Sequence, residues 1–330
     1  MLGAHTGENR VLIPELRREP KAAAGCVRLS LTGKAFATTW QVVAYVAEPL
    51  AAQSEVLRAQ ISALLERIDA EMSPYRADSD LTRFNQAPAG AYVPLPLMLL
   101  QVIRQGLNIA HLTDGAYDPT LLEAVELWGF GARAVPEGVP LGADISVLKN
   151  RQDWRRIDWK AQGLIKPEGV RLDLCGIAKG YAVDVVTQFL KTTAGIEAAL
   201  IEIGGELKGF GVRDDGLPFW VDIEQAKEKT VVALCDLAVA TSGESVRAFV
   251  HDGVIFSHTI DGQTASPSAS GVMSVSVFDG ACWRADALAT ALLVMGAEKA
   301  MAFATAQDVP CLMRMRNGSE QLSPALENWL

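Results

Sequence analysis

The spacing of apolar positions divides the chain into helical and extended segments. Leu57, Ile61, Leu65, Ile68 and Met72 recur every three or four residues, which puts them on one face of a helix over about 51–71. Leu97, Leu100, Ile103, Leu107 and Ala110 do the same over 96–112. That helix ends at the turn signal Thr113-Asp114-Gly115, and a third helix opens at Pro119, since proline is well suited to a first helical turn. Further helices are expected at 177–193, 285–295 and 297–306, the last two parted by Gly296. The stretch 35–47 (AFATTWQVVAYVA) is rich in β-branched and aromatic residues and reads as a strand. So do 170–174, 198–203, 219–223, 231–235, 248–257 and 272–278. Residues 73–85 (SPYRADSDLTRFN) read as a polar loop, and 132–170 as irregular text broken by proline and glycine. Strands and helices are partly segregated. The expectation is therefore an α+β fold with largely antiparallel sheets and packed helices, not a doubly wound parallel sheet.

Composition narrows the class. A chain of 330 residues can bury a large core, and 49% hydrophobic with 21% charged residues is ordinary for a globular protein. A net charge of −9 argues against a general nucleic-acid binder, which needs a basic face. Cys26, Cys175, Cys235, Cys282 and Cys311 form no CxxC, so neither a zinc knuckle nor a redox pair is indicated. Most of them are expected to be small buried hydrophobes, and the lack of a disulfide framework leans towards a reducing compartment. No apolar stretch is long enough to span a bilayer. Ala23-Ala24-Gly25-Cys26 resembles a lipoprotein cleavage box, but the charges from Glu15 to Lys21 interrupt the apolar segment such a box requires. Residues 1–27 read as an arm, not a signal, and the expected compartment is the cytoplasm.

Two segments carry candidate chemistry. In 171–184 (RLDLCGIAKGYAVD) a strand runs into a helix through Gly176 and Gly180, with Lys179 between them. A basic helix start flanked by glycines suits a phosphate. In 284–293 (RADALATALL) Asp286 and Thr290 lie four residues apart, hence on one helix face, and two hard oxygens one turn apart suit magnesium. The plainer alternatives are a helix-capping Asp286 and a surface Lys179 at a close helix–strand crossing. Small and apolar neighbours around Asp286 and Thr290 predict a buried helix, where a carboxylate needs a partner. Asp173 alternates with Leu172 and Leu174 and so projects towards the turn that follows. His258 ends an apolar strand, either as a catalytic imidazole or as a structural one. LAVATSGES (237–245) sets hydroxyls at a strand exit, as a ligand contact or merely a turn. GxGxxG and GxxxxGK[ST] are both absent, and the SxxK formed by Ser146 and Lys149 has no companion motif. On residues alone the chain reads as a metal-assisted phosphate enzyme.

Seven stretches, in order, resemble the ApbE-type FAD:protein FMN transferases. They are MSPYRADSDLTRFN (72–85), DGAYDPTLLEAVELWGFG (114–131), LDLCGIAKGYAVD (172–184), IEIGGELKGFG (201–211), AVATSGES (238–245), FSHTIDGQT (256–264) and ADALATALLVMG (285–296). The resemblance implies an ApbE-like, T-fold-related domain over 33–315, between an N-terminal arm at 1–32 and a C-terminal tail at 316–330. It implies FAD as substrate, Mg²⁺ as cofactor, and transfer of FMN to a Ser/Thr hydroxyl of a target flavoprotein, with release of AMP. The target would carry a Ser/Thr-Gly-Ala-Thr-like sequence. It maps the metal onto Asp286, Thr290 and the Ala178 carbonyl. Flavin and phosphate contacts map onto Tyr75, Ala116, Tyr117, Asp118, Asp173, Lys179 and the strand end from His258 to Ile260, with Phe36 packing on the isoalloxazine. His258 is the first candidate base and Asp286 the second, while Lys179 stabilises developing phosphate charge. Two departures stand out. Phe36-Ala37-Thr38 replaces a usual Met-Gly-Thr, and Gly262 replaces the proline of Ile-Ile-Asp-Pro. An FAD pyrophosphatase and a non-catalytic flavin carrier are the alternatives in function, and a periplasmic, membrane-anchored location, as in many members of the family, is the alternative to the cytoplasm.

Overall fold

Eight strands, β1 (Val27–Ala35), β2 (Thr38–Val46), β3 (Ala198–Ile203), β4 (Glu206–Phe210), β5 (Leu237–Gly243), β6 (Val272–Asp279), β7 (Cys311–Met315) and β8 (Glu320–Leu322), form one sheet in the computed structural model. Each pairs antiparallel with its neighbour in the chain, so the sheet is a meander from β1 to β8 opened by insertions. The structure describes residues 10–16, 19–20, 22–132, 139–149, 153–193, 196–223, 226–227, 229–244 and 247–330. Ser245, in the hydroxyl-bearing segment singled out above, lies outside them, as do residues 1–9 of the expected arm.

Period-two alternation gives this sheet two buried faces. Trp40, Val42, Ala44 and Val46 of β2 join a core with the helices α1 (Ser54–Met72), α2 (Leu97–Leu112), α3 (Ala178–Thr193), α4 (Cys282–Met295) and α5 (Ala297–Ala306). Val43 and Tyr45 of the same strand face a second core instead, built with Leu12, Phe219, Val221, Val232 and Leu326. That side is covered by a small sheet of Arg10–Leu12, Phe219–Asp222 and Thr230–Leu234. The result is helices, a large sheet and a small sheet in three layers, consistent with the α+β expectation. A satellite cluster of Leu121, Trp128, Phe130, Leu148 and Ile260 lies apart from both cores.

Several expectations need correction. The expected arm supplies a strand at Arg10–Leu12 and most of β1, and the expected tail supplies β8 and the helix Pro324–Glu327, whose Leu326 is fully buried. The 73–85 loop contains a helix, Asp80–Gln86, capped by the Ser79 hydroxyl, which accepts the Thr82 amide at 3.0 Å. The helix expected from Pro119 begins at Leu122. Residues 248–257 are a hairpin, Ala248–His251 with Val254–Ser257, because Asp252 and Gly253 take left-handed φ and turn the chain. Residues 170–174 form no strand, only an isolated bridge from Arg171 to Leu121. The Asn85 side chain receives the Leu172 amide at 2.7 Å and donates to its carbonyl at 2.9 Å, while the Asp173 amide goes to Pro119 O. A side chain thus replaces a ladder partner there.

Candidate active site

A cleft of about 800 Å³ opens at the sheet end where the Phe36-Ala37 and Gly204-Gly205 turns and the end of β5 meet the start of α3 and the first turns of α4. Every residue assigned above to the metal, the flavin or the chemistry lines it: Phe36, Tyr75, Ala116, Tyr117, Asp118, Asp173, Ala178, Lys179, His258, Ile260, Asp286 and Thr290.

The floor is set by the crossing of α3 and α4. A Cβ on Gly180 would sit 2.5 Å from the Cys282 carbonyl oxygen and 2.8 Å from the Trp283 Cα, so only glycine allows this approach. At the contact each helix caps the other. Asp286 accepts the Gly180 amide at 3.0 Å, and Asp184 accepts the Trp283 amide at 3.0 Å. Asp286 therefore does cap a helix, though a neighbouring one. Burial pushes its carboxyl up, against the pull of the Lys179 ammonium and the Gly180 amide. One turn on, Thr290 Oγ1 lies 3.0 Å from Ser242 Oγ of β5. Gly176 gives that hydroxyl room, since a Cβ there would stand 3.1 Å from Thr290 Oγ1. The two glycines thus serve packing. Lys179 is not a surface lysine: its Nζ meets Glu206 Oε1 at 2.5 Å. Burial pushes the Glu206 carboxyl up to about 8.

The walls come from loops. Asp173 accepts the Cys175 amide at 2.8 Å, and Asp118 accepts the Thr120 amide at 2.8 Å and its hydroxyl at 2.6 Å. Burial raises Asp118 to about 6. Tyr75 is 49% exposed; its hydroxyl donates to Phe130 O at 3.2 Å and accepts from the Arg247 guanidinium at 2.7 Å. His258 Nδ1 lies 3.2 Å from the Arg247 carbonyl. A carbonyl only accepts, so Nδ1 carries the proton and Nε2 keeps its lone pair. Burial pushes this imidazole down, which keeps it neutral. Tyr117 is a core residue, 3% exposed, with its hydroxyl directed towards Gly106 and unpartnered. Phe36 and Ala37 both have positive φ, +52° and +56°, in a two-residue hairpin turn that normally favours Asn-Gly.

Sequence reasoning missed Glu206, Arg247 and Cys175. Glu206 follows directly on Gly204-Gly205, inside a stretch already noted, whereas a lone arginine such as Arg247 carries no signal. Only Cys282 and Cys311 of the five cysteines are buried, and Cys175 is exposed on the cleft wall, contrary to the expectation that most would be buried.

The donor set fits magnesium. Among the described residues no three His, Cys, Asp or Glu side chains cluster as a metal site. Asp286, Thr290 and Ala178 border an open cleft and offer a buried carboxylate, a hydroxyl and a main-chain carbonyl, and magnesium characteristically takes few protein ligands and completes its shell with phosphate and water.

The chain is similar to several known proteins. The ApbE family model matches residues 36–313. An FAD:protein FMN transferase of Vibrio cholerae is 38% identical over 301 residues, covering 88% of this chain and 89% of its own. One from Escherichia coli K12 is 30% identical over 313 residues, covering 91% of this chain and 88% of its own. The crystal structure of apo Pseudomonas stutzeri flavinyl transferase ApbE superposes with a TM-score of 0.84 at 33% identity, over 93% of this chain and 98% of that one. The chain belongs to the ApbE family.

Proposed function

We propose that this protein transfers the FMN moiety of FAD to a Ser or Thr hydroxyl of a target flavoprotein, releasing AMP in a magnesium-dependent reaction. The observation that carries the reading is the convergence of Asp286, Thr290, Ala178 and Lys179 on the floor of one cleft, in a chain whose relatives are named for this transfer. Asp286, Thr290 and the Ala178 carbonyl would hold the metal. When bound, magnesium neutralises charge on the pyrophosphate oxygens.

The rest of the chemistry belongs to side chains. Lys179 and the start of α3 face the pyrophosphate and stabilise charge developing on the AMP side. Phe36 and Tyr75 flank the isoalloxazine, the Ala116–Asp118 turn and Asp173 meet its polar edges, and Ile260 closes the wall. His258 Nε2 takes the proton of the acceptor hydroxyl as its oxygen attacks the FMN phosphorus. The new O–P bond replaces the bond to the AMP oxygen. The family resemblance implies a Ser/Thr-Gly-Ala-Thr-like segment around the acceptor hydroxyl. The free cysteines suit a reducing, cytoplasmic compartment. No described helix is long and apolar enough to cross a membrane.

The test is incubation with FAD, Mg²⁺ and an acceptor domain bearing such a segment, followed by intact-mass measurement. An FMN adduct on a hydroxyl is the expected result. Free FMN and AMP without an adduct would make the protein an FAD pyrophosphatase.

A further inference from the structure

We infer that Glu206 is a positioning residue that holds the Lys179 ammonium away from the Asp286 carboxylate and so keeps that carboxylate open to a cation. The inference rests on the metal reading of Asp286 given above. Its basis is the imbalance on the cleft floor, where one ammonium faces two carboxylates that are only 3% and 4% exposed, Glu206 and Asp286. A buried ammonium left without an acceptor is costly, so it settles on a carboxyl oxygen it can reach, whether or not that carboxyl is ionised. It settles on Glu206 at 2.5 Å. Among the described residues Asp286 is left with a single hydrogen bond to its carboxylate, from the Gly180 amide.

The backbone enforces this choice. Glu206 opens β4 directly after Gly204-Gly205, both with positive φ. A Cβ on Gly204 would lie 2.8 Å from Thr38 Cγ2 and 3.4 Å from Lys179 Cδ, so the bare turn lets the lysine stem lie along it towards Glu206. The second oxygen of Glu206 is buried without a partner. A purely structural acid would be expected to satisfy both oxygens. Here the residue pairs a single oxygen, and its partner is the lysine. If that oxygen is removed, the other carboxylate acting on Lys179 is Asp286, and the ammonium then occupies the place a metal needs.

The readout is FAD affinity by calorimetry, measured with Mg²⁺ and again with EDTA, and the ratio of the two is the metal-dependent gain. Wild type should gain tenfold or more; no gain would defeat the metal reading itself, before Glu206 is at issue. With a wild-type gain in hand, Glu206→Ala should lose most of it, while its metal-free affinity stays within about threefold. Glu206→Gln keeps the acceptor oxygen and should retain the gain. Lys179→Met removes the competitor, so it should keep a ratio at least as large as wild type despite weaker binding overall, and Lys179→Met/Glu206→Ala should recover it. A full gain in Glu206→Ala would overturn the inference. If that variant does not fold, loss of the gain in Lys179→Met does the same, because there the lysine would be helping the metal instead of competing with it.

Discussion

Asp286 accepts the backbone amide of Gly180 at 3.0 Å, and this contact ties the proposed metal carboxylate to the first turn of a different helix. The carboxylate is thereby aimed by α3 as well as by its own helix. One oxygen belongs to the fold, which leaves the other for chemistry.

Gly180→Ala tests that coupling. The added methyl would meet the Cys282 carbonyl at 2.5 Å, backbone against backbone, so the helices must separate. Overpacking of this kind costs about 1–3 kcal/mol. Chemical denaturation should report that loss. Flavin transfer should fall more steeply than stability does, since Asp286 moves with the crossing. Unchanged stability would mean that the helices part freely.

The Phe36-Ala37 turn should be improvable. A left-handed φ costs an L-residue about 1–2 kcal/mol, and glycine recovers that at an entropic cost of about 0.5–1 kcal/mol. With φ at +56°, Ala37→Gly should stabilise the protein by about 0.5–1 kcal/mol and leave Phe36 on the cleft wall. Phe36→Gly relieves the same strain but removes the ring, so FAD affinity should drop. Equal melting temperatures for wild type and Ala37→Gly would show that the turn carries no strain.

What was legible in the sequence follows from how each element is stabilised. Periodic helices were read closely: α2 was expected over 96–112 and spans Leu97–Leu112. Residues 170–174 were misread because apolar alternation reports burial, not pairing, and Asn85 supplies the pairing from a distance. The chain ends were misread as arm and tail because their partners are remote; Arg10–Leu12 pairs with Thr230–Val232. Likewise the candidate site residues could be named from local motifs, but their counter-charges could not. Glu206 reaches Lys179 across 27 positions of sequence, and Asp286 reaches Gly180 across 106.

Tyr117 should prove to be a core residue more than a flavin contact. Its hydroxyl is buried without a partner, and an unmet buried group costs about 1–3 kcal/mol. Tyr117→Phe should therefore stabilise the protein by about 1 kcal/mol and leave FAD affinity unchanged. Tyr117→Ala should destabilise it by about 3–5 kcal/mol, the usual cost of truncating a buried aromatic ring. A tenfold loss of FAD affinity in Tyr117→Phe would return the hydroxyl to the site.

The pH profile should show two limbs, with signs fixed by the direction of each shift. Burial lowers the His258 imidazole below its ordinary 6.5, so it is neutral at pH 7 and available as a base. Transfer should fall only as the pH drops well below 6.5, and the stability His258 contributes is lost over the same window, because the unfolded imidazole takes its proton first. His258→Ala should abolish that limb and lower turnover by roughly 10²-fold, the usual scale for a positioned base. Burial raises Glu206 to about 8, so below that pH the Lys179–Glu206 pair carries a net positive charge, and above it the pair is neutral. FAD affinity should accordingly weaken as the pH rises through about 8. The stability contributed by protonated Glu206 is complete below the ordinary glutamate range and declines up to the same point. Glu206→Gln cannot ionise, so its FAD affinity should stay flat across pH 7 to 9 in titrations where wild type declines. A decline of equal size in both proteins would assign the alkaline limb to another group.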